Sequence, residues 1–329
     1  MYRGLRLVVS CGLVAAAVWL APGSAEAQVS EWAYKRLNAS FEAMGENKYQ
    51  KAEAELDRMK EREGRLDARE VALMYQAYGH LYFTQNKYKP ASVAFEKSLA
   101  TEALDEGQIL DMRFNLGQLY MALERWGDAV RNFELWLKDA DSPKAQERYI
   151  ISQAYIQKKD FGKALGQLSR AVAMKKTPPE SWLQSQGAVQ YELQKKRDML
   201  VTLKRLVELY PKATYWLQLG GLYSELNDEK RALAVFELAY RGGFLTKPEN
   251  LRQLAQMFLY QNVPLKGAEV MEAAFEKKAL PKNERNLTIL ADAYVRSKEI
   301  DKAYSPLNQA AKAGKSAELY LRLTQLLLE

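Results

Sequence analysis

The chain has 329 residues, with 48 Lys and Arg against 41 Asp and Glu, which gives a formal net charge of +7 at pH 7. One cysteine, Cys11, excludes an intramolecular disulfide, and with one histidine, His80, the chain lacks the ligands of an ordinary zinc site. The positive charge lies in short runs such as Lys195-Lys196-Arg197, without a basic stripe interleaved with aromatic residues, so we expect no nucleic-acid binding.

Residues 1–27 have the pattern of a secretory signal peptide. Arg3 and Arg6 precede an apolar stretch at 7–21, and an Ala-Glu-Ala triplet ends the segment with the small residues that cleavage requires. The apolar stretch is shorter than the ~20 residues that span a bilayer. We therefore predict cleavage before Gln28, and an uncleaved membrane anchor is the alternative interpretation.

Cys11 lies inside this segment, after Val8-Val9-Ser10, which loosely resembles a lipoprotein cleavage site. The apolar run continues to Ala21, however, whereas a lipoprotein site would end it. Lipidation is therefore disfavoured, and we expect the mature chain to contain no cysteine.

From Arg36 onward, small and large apolar residues recur about every 34 residues. The clearest copy has Trp216, Leu219, Gly220 and Tyr223, followed by Ala232, Phe236 and Ala239. This is the spacing of a tetratricopeptide repeat (TPR), W-x2-L-G-x2-Y and then A-x3-F. We number each repeat so that Trp216 holds position 4, Gly220 position 8, Tyr223 position 11 and Phe236 position 24. In chain order, position 8 is held by Ser40, Gly79, Gly117, Ser152, Gly187, Gly220, Ala255 and Ala291.

This repeat predicts an all-α fold, a TPR α-solenoid in which antiparallel pairs of helices A and B form a right-handed superhelix. The small residue at position 8 lets the two backbones approach, and large residues fill the space between repeats. We predict about eight repeats plus a terminal half repeat over residues 28–329. Turn residues such as Asn86-Lys87 are expected between helices A and B, and prolines such as Pro143 and Pro281 between repeats.

No motif indicates catalysis. His80 falls on helix A of the second repeat, and neither a nucleophile elbow nor a glycine-rich phosphate loop accompanies it. Carboxylates at helix-surface spacings, such as Glu53 and Asp57, are interpreted as solvent-exposed pairs. We therefore predict a non-enzymatic protein with no catalytic residues, no metal and no cofactor.

The inner faces of the A helices are where TPR arrays usually hold their ligands. Aromatic and amide side chains there suit an extended peptide or a partner helix, because aromatic rings supply buried area and amides pair with backbone groups. The alternative is that several of them are ordinary half-buried helix residues. The predicted partner-binding groove comprises His80, Phe83, Phe114, Gln118, Tyr149, Gln153, Gln184, Tyr191, Arg252, Gln256 and Tyr260.

The C-terminal segment 318–329 predicts an A helix without a following B helix, apolar on nearly every side. Terminal repeats normally need a polar outer face. We expect a partner, a second copy of the chain or further chain to cover this helix, with apolar contacts from Leu319, Leu323, Leu326 and Leu327.

Longer stretches resemble one family, the periplasmic TPR proteins that accompany TonB–ExbB–ExbD energy-transducing systems. The stretches are Glu180-Ser181-Trp182, Tyr215-Trp216, Ala232-Leu233-Ala234-Val235, Glu237-Leu238-Ala239-Tyr240-Arg241, Leu259-Tyr260 and Glu318-Leu319-Tyr320-Leu321-Arg322-Leu323. The resemblance covers most of the mature chain and is best from Glu180 onward.

This resemblance implies a periplasmic, non-enzymatic accessory of an inner-membrane motor that powers nutrient uptake through the outer membrane. TonB, ExbB or ExbD homologues would be its partners, and the protein would be peripheral to the membrane. A general scaffold for outer-membrane, cell-wall or polysaccharide assembly is the alternative. The resemblance carries over no individual site residue.

Overall fold

The computed structural model describes residues 29–328. Every regular element in that range is helical: seventeen α-helices and one short 3-10 helix, Glu63–Arg65. This confirms the predicted all-α fold. The predicted signal segment with Cys11, and the last residue, Glu329, lie outside the described residues. None of the described helices combines the length and the apolar character that crossing a membrane requires.

The chain divides into two compact units, the first ending at Met174 and the second beginning at Lys175. In the first unit the helices are α1 (Glu31–Gly45), α2 (Tyr49–Lys60), α3 (Ala68–Thr84), α4 (Tyr88–Leu99), α5 (Glu106–Ala122), α6 (Trp126–Asp139), α7 (Ala145–Gln157) and α8 (Phe161–Ala173). In the second unit they are α9 (Glu180–Glu192), α10 (Lys196–Leu209), α11 (Ala213–Glu225), α12 (Glu229–Arg241), α13 (Pro248–Tyr260), α14 (Pro264–Glu276), α15 (Glu284–Arg296), α16 (Ile300–Gly314) and α17 (Ala317–Leu328).

Within each unit, every odd-numbered helix up to α15 packs against the even-numbered helix that follows it, so each pair is one repeat with its helices A and B. Helix α17 packs against α16 and has no B helix of its own within the described residues. A single pair cannot bury its apolar face, so neighbouring pairs in a unit form one continuous core.

The small residue at position 8 sits directly beneath the ring at position 24 in three repeats. A Cβ placed on Gly79, Gly117 or Gly220 would lie 2.4 Å from the ring at position 24 of the same repeat. These rings belong to Phe95, Phe133 and Phe236, which are at most 2% exposed. Helices A and B can therefore pack around a phenylalanine only because glycine leaves room for it.

The turn between helices A and B has one conformation throughout the described residues. Position 15 of all eight repeats adopts a positive φ, in the range of 56° to 63°. Asparagine, which tolerates this left-handed conformation, holds four of the eight positions. The residues are Asn47, Asn86, Glu124, Lys159, Gln194, Asn227, Asn262 and Lys298.

We expect Lys159→Asn to raise the free energy of unfolding by about 0.5–1 kcal/mol, because an L-residue with a long side chain is strained in the left-handed region. Lys159 is exposed and forms none of the ion pairs within the described residues, so the charge should matter little. Chemical denaturation followed by circular dichroism measures the change. The reverse substitution, Asn227→Lys, is the matched control and should be destabilising by a similar amount.

Candidate functional site

His80, the one histidine of the chain, is half-buried among aromatic rings on α3. Its ring centroid lies 5.2 Å from that of Phe95 in an edge-on arrangement and 6.5 Å from that of Phe41. Burial lowers the pKa of the imidazole to about 4. His80 is therefore neutral at physiological pH and contributes an uncharged aromatic surface.

We expect the protein to lose stability as the pH falls from about 6.5 to 4, by about 3 kcal/mol. In that range an unfolded histidine, with a pKa near 6.5, binds a proton that the folded His80 does not. The imidazole proton resonances, which come from a single histidine, should titrate near pH 4. His80→Phe should remove this part of the pH dependence, and a resonance that titrates near pH 6.5 would contradict the prediction.

The other aromatic residues predicted for the first unit pack within their own repeats. The Phe114 ring lies 4.9 Å from Trp136 and 5.4 Å from Phe133, both on the B helix of the same repeat. Phe83 lies 6.0 Å from Tyr88, at the start of the following B helix. Both rings are half-buried, so only part of each is accessible to a ligand.

The burial of Gln153 contradicts the prediction that its amide lines the partner-binding groove. It is only 8% exposed, and its amide nitrogen lies 3.5 Å from the Ser152 hydroxyl, to which it donates. Its side chain therefore belongs to the interior. Gln118 and Tyr149 are half-buried.

The second unit exposes more of the predicted groove. Tyr191 on α9 is 52% exposed and Tyr260 at the end of α13 is 78% exposed. Gln256 is exposed and Arg252 is half-buried, both on α13. Gln184 is exposed, but its amide donates to the Tyr215 hydroxyl over 2.6 Å.

Between Tyr191 and Tyr260, the repeat register places small residues at position 9 of two A helices. Position 9 is Ala188 on α9 and Gly221 on α11, and it becomes Gln256 on α13. Gly221 has no side-chain or distant backbone atom near the place where a Cβ would be. Position 9 is therefore uncharged on these three helices and small on α9 and α11, with Tyr191 on α9 and Tyr260 on α13.

Tyrosine–carboxylate hydrogen bonds, which sequence reasoning missed, link successive repeats. The hydroxyl at position 11 donates to a carboxylate at position 25 of the preceding B helix: Tyr120 to Glu96, Tyr155 to Glu134 over 3.1 Å, and Tyr294 to Glu272. Burial first, and then the carboxylate, raise the pKa of each of these phenols. The tyrosines stay protonated and act as structural donors. The signal was present in the sequence as a repeated Asp or Glu at position 25.

Glu53 and Asp57, expected to be a solvent-exposed pair, make related hydrogen bonds from other repeat positions; Asp57 is exposed and Glu53 is half-buried. Asp57 accepts from the Tyr78 hydroxyl over 2.5 Å, and Glu53 accepts from the Tyr82 hydroxyl over 3.2 Å. Both carboxylates therefore join the first repeat to the second.

The C-terminal contact residues divide between two faces of α17. Leu319 and Leu326 are 5% and 8% exposed and belong to the core of the second unit, with Leu323 packed against that core. These three hold α17 in place and are not available to a partner, which corrects the prediction. Leu327 is 66% exposed.

Residues 29–328 contain no group of three or more His, Cys, Asp or Glu side chains that could hold a metal ion. His80 forms no hydrogen bond to a nucleophile in the same range, and its neighbours are rings.

Two segments match the profile of the tetratricopeptide repeat family, residues 72–102 and 213–241. They correspond to the pairs α3–α4 and α11–α12, so these two helix pairs are tetratricopeptide repeats. None of the curated proteins matches the chain.

Several solved structures are similar to this chain at low sequence identity. A tetratricopeptide repeat protein from Parabacteroides merdae ATCC 43184 is 13% identical, over 91% of this chain and 100% of that one, with a TM-score of 0.45. MamA from Desulfovibrio magneticus RS-1 is 16% identical, over 55% and 95% of the two chains, with a TM-score of 0.44. YrrB, described as a TPR protein with an unusual peptide-binding site, is 18% identical, over 50% and 83%, with a TM-score of 0.42.

Proposed function

We propose that the chain is a non-enzymatic, periplasmic TPR scaffold that binds an extended segment of a partner protein. The partner we propose is a component of a TonB–ExbB–ExbD energy-transducing system. The binding site is the inner face of the second unit, from Tyr191 to Tyr260.

One observation carries the proposal. The inner face of the second unit combines two exposed tyrosines with the small residues Ala188 and Gly221 and the amide of Gln256. A peptide backbone can approach closely over small residues, and its polar groups need amide partners once water is removed. Tyrosine adds a large, rigid contact area with little loss of side-chain entropy.

The half-buried Arg252 is the charged residue among the predicted groove residues of this unit. One guanidinium among aromatic and amide groups suits a partner segment that carries a single carboxylate rather than an acidic run. This distinguishes the site from a clamp built of several lysines.

The signal-peptide pattern predicted at 1–27 supports the periplasmic part of the proposal. The resemblance of Glu180-Ser181-Trp182, Tyr215-Trp216 and the related stretches to TonB-associated TPR proteins supports the choice of partner. An accessory role needs only a binding surface, and the described residues offer one without a candidate catalytic group.

The test measures binding of the purified protein to labelled periplasmic segments of TonB and ExbD homologues from the same organism. Tyr191→Ala with Gln256→Ala should weaken binding at least tenfold, equivalent to about 1.4 kcal/mol, because two contacts with the partner segment are lost. Tyr304→Ala is the matched control: this tyrosine is 41% exposed but lies on a B helix, α16. If the groove variant and the unaltered protein bound the segment with equal affinity, the proposed binding site would be wrong.

Affinity capture from crosslinked cell envelopes tests the choice of partner separately. Enrichment of TonB, ExbB or ExbD homologues that the groove variant loses would support the proposal. Capture of outer-membrane or wall-assembly proteins instead would favour the general envelope scaffold.

A further inference from the structure

The linkers that join each B helix to the next A helix are strongly basic in the second unit. They contain eight lysines, no arginine and no acidic residue, and all eight lysines are exposed. Lys212 pairs with Glu180 over 2.6 Å, and the other seven form no ion pair with a carboxylate in residues 29–328. Their charge is therefore presented to the solvent. The five linkers are residues 175–179, 210–212, 242–247, 277–283 and 315–316.

These linkers lie at one edge of the second unit, which we name the lysine edge. Successive helices pack against each other in antiparallel order, so the linkers lie at one end of the helices and the turns between helices A and B at the other. The Tyr210 hydroxyl donates to the Pro178 carbonyl over 2.8 Å and so joins the first two linkers. Gly314, just before the last linker, lies against the Glu284 carboxylate, just after the fourth. The lysines of neighbouring linkers are therefore close in space as well as alike in charge.

Comparable connections elsewhere in the described chain do not share this charge. The corresponding linkers of the first unit contain three basic and six acidic residues, and the turns at the opposite edge of the second unit contain two of each. The helical residues that flank the lysine edge, two on each side of a linker, add six glutamates and two arginines, so an excess of four positive charges remains there. The first-unit linkers are residues 61–67, 100–105 and 140–144, and the turns are 193–195, 226–228, 261–263 and 297–299.

The residue types of the lysine edge favour an extended anionic surface over a single bound anion. Arginine is the residue that holds one phosphate or carboxylate in a bidentate geometry, whereas the lysine ammonium is a strongly hydrated point charge. The linkers contain no exposed aromatic side chain on which a nucleic-acid base could stack. A cluster of about four to eight basic residues is the pattern that attracts anionic phospholipids.

We propose that the lysine edge binds the surface of an anionic phospholipid bilayer. The lysines attract the phosphate-bearing headgroups electrostatically, and the linkers hold the second unit at the surface without inserting into the hydrocarbon. Tyr191 and Tyr260 lie near the C-terminal ends of α9 and α13, away from the linkers that precede these helices. The bilayer contact therefore leaves the groove accessible and does not depend on the partner proposed for it.

Cosedimentation with lipid vesicles tests the contact. The mature chain, which we predict to start at Gln28, contains all the described helices and lacks the apolar stretch at 7–21, which could bind lipid by itself. At about 50 mM NaCl it should sediment with vesicles that contain about 30% phosphatidylglycerol and not with vesicles of phosphatidylcholine alone. At about 0.5 M NaCl, where the Debye length falls to about 4 Å, binding should be lost.

Charge reversal at the lysine edge should weaken vesicle binding at least about tenfold, since each lysine near an anionic surface contributes about fivefold. The variant combines three exposed linker residues, Lys247→Glu, Lys277→Glu and Lys278→Glu. Its circular dichroism spectrum should match that of the unaltered protein.

The matched control changes the net charge by the same amount near the opposite edge. It combines Lys195→Glu, Arg197→Glu and Lys230→Glu, at exposed residues that form no ion pair within the described residues, and should bind the vesicles within about threefold of the unaltered protein. Equal losses in the two variants would show that net charge rather than the lysine edge governs binding, and would overturn the proposal. So would a failure to sediment with phosphatidylglycerol vesicles at low salt, or tighter binding to soluble polyglutamate than to the vesicles, which would indicate an acidic polypeptide instead.

Discussion

Gly220→Ala is expected to lower the free energy of unfolding by about 1–3 kcal/mol, whereas the same substitution at the next residue, Gly221→Ala, is expected to raise it by about 0.5–1 kcal/mol. Both glycines lie within α11. They differ in what a new methyl group would meet.

At Gly220 a Cβ would lie 2.4 Å from Cε2 of Phe236, a ring that is 2% exposed and has no free space to move into. At Gly221 no atom outside the helix's own backbone lies within 4 Å of that Cβ. Alanine there removes the entropy cost of a helical glycine without a clash. Urea denaturation of the two variants compares the effects directly. If both substitutions changed the free energy of unfolding in the same direction, helix propensity rather than the Phe236 ring would determine the stability of the variants.

The repeats themselves support this argument. Glycine holds position 8 wherever phenylalanine holds position 24. Where position 8 is serine or alanine, position 24 is a leucine or a methionine, in the pairs Ser40–Leu56, Ser152–Leu168, Ala255–Met271 and Ala291–Leu307. Gly187 faces Leu203 and has the nearest side-chain atom, from Thr202, at 3.8 Å, so the small residue there is not required by packing.

The helix pairs were predictable because their packing depends on a fixed spacing within one repeat. Position 8 and position 24 are sixteen residues apart in every copy, so sequence alone identifies the contact between Gly220 and Phe236. Contacts between repeats were not predictable in this way. The linkers between repeats vary in length, so partners at the same two positions, Tyr120–Glu96 and Tyr155–Glu134, are separated by 24 and 21 residues.

The candidate site was only partly predictable, because exposure depends on the rotation of each helix. The register predicts an inner-face position for Gln153, but its side chain is only 8% exposed. On α17, apolar residues surround the helix, so periodicity could not tell Leu326, which is buried, from Leu327, which is exposed. Only the packed core of the second unit fixes which side faces outward.

Phe133→Ala is expected to have the largest effect of any substitution considered, a loss of about 3–5 kcal/mol in the free energy of unfolding. Phe133 is fully buried, and its ring fills the space above Gly117 and packs 5.4 Å from the ring of Phe114. Glycine cannot extend a side chain into the void, so the cavity cannot be filled locally. Denaturation midpoints measure the loss, and hydrogen exchange should place it in the first unit. A loss below about 1 kcal/mol would mean that helices α5 and α6 collapse onto the vacated space.

The pairing of glycine at position 8 with phenylalanine at position 24 also predicts which second substitution restores stability at this site. Gly117→Ala alone should be destabilising, since its Cβ would lie 2.4 Å from the Phe133 ring. Combined with Phe133→Leu, it reproduces the alanine–leucine pair of Ala291 and Leu307, and the new methyl group fills part of the space that the ring leaves. The double variant should therefore be more stable than either single variant, with a coupling free energy of about 1–3 kcal/mol. Additive losses would show that glycine is present at position 8 for a reason other than the ring above it.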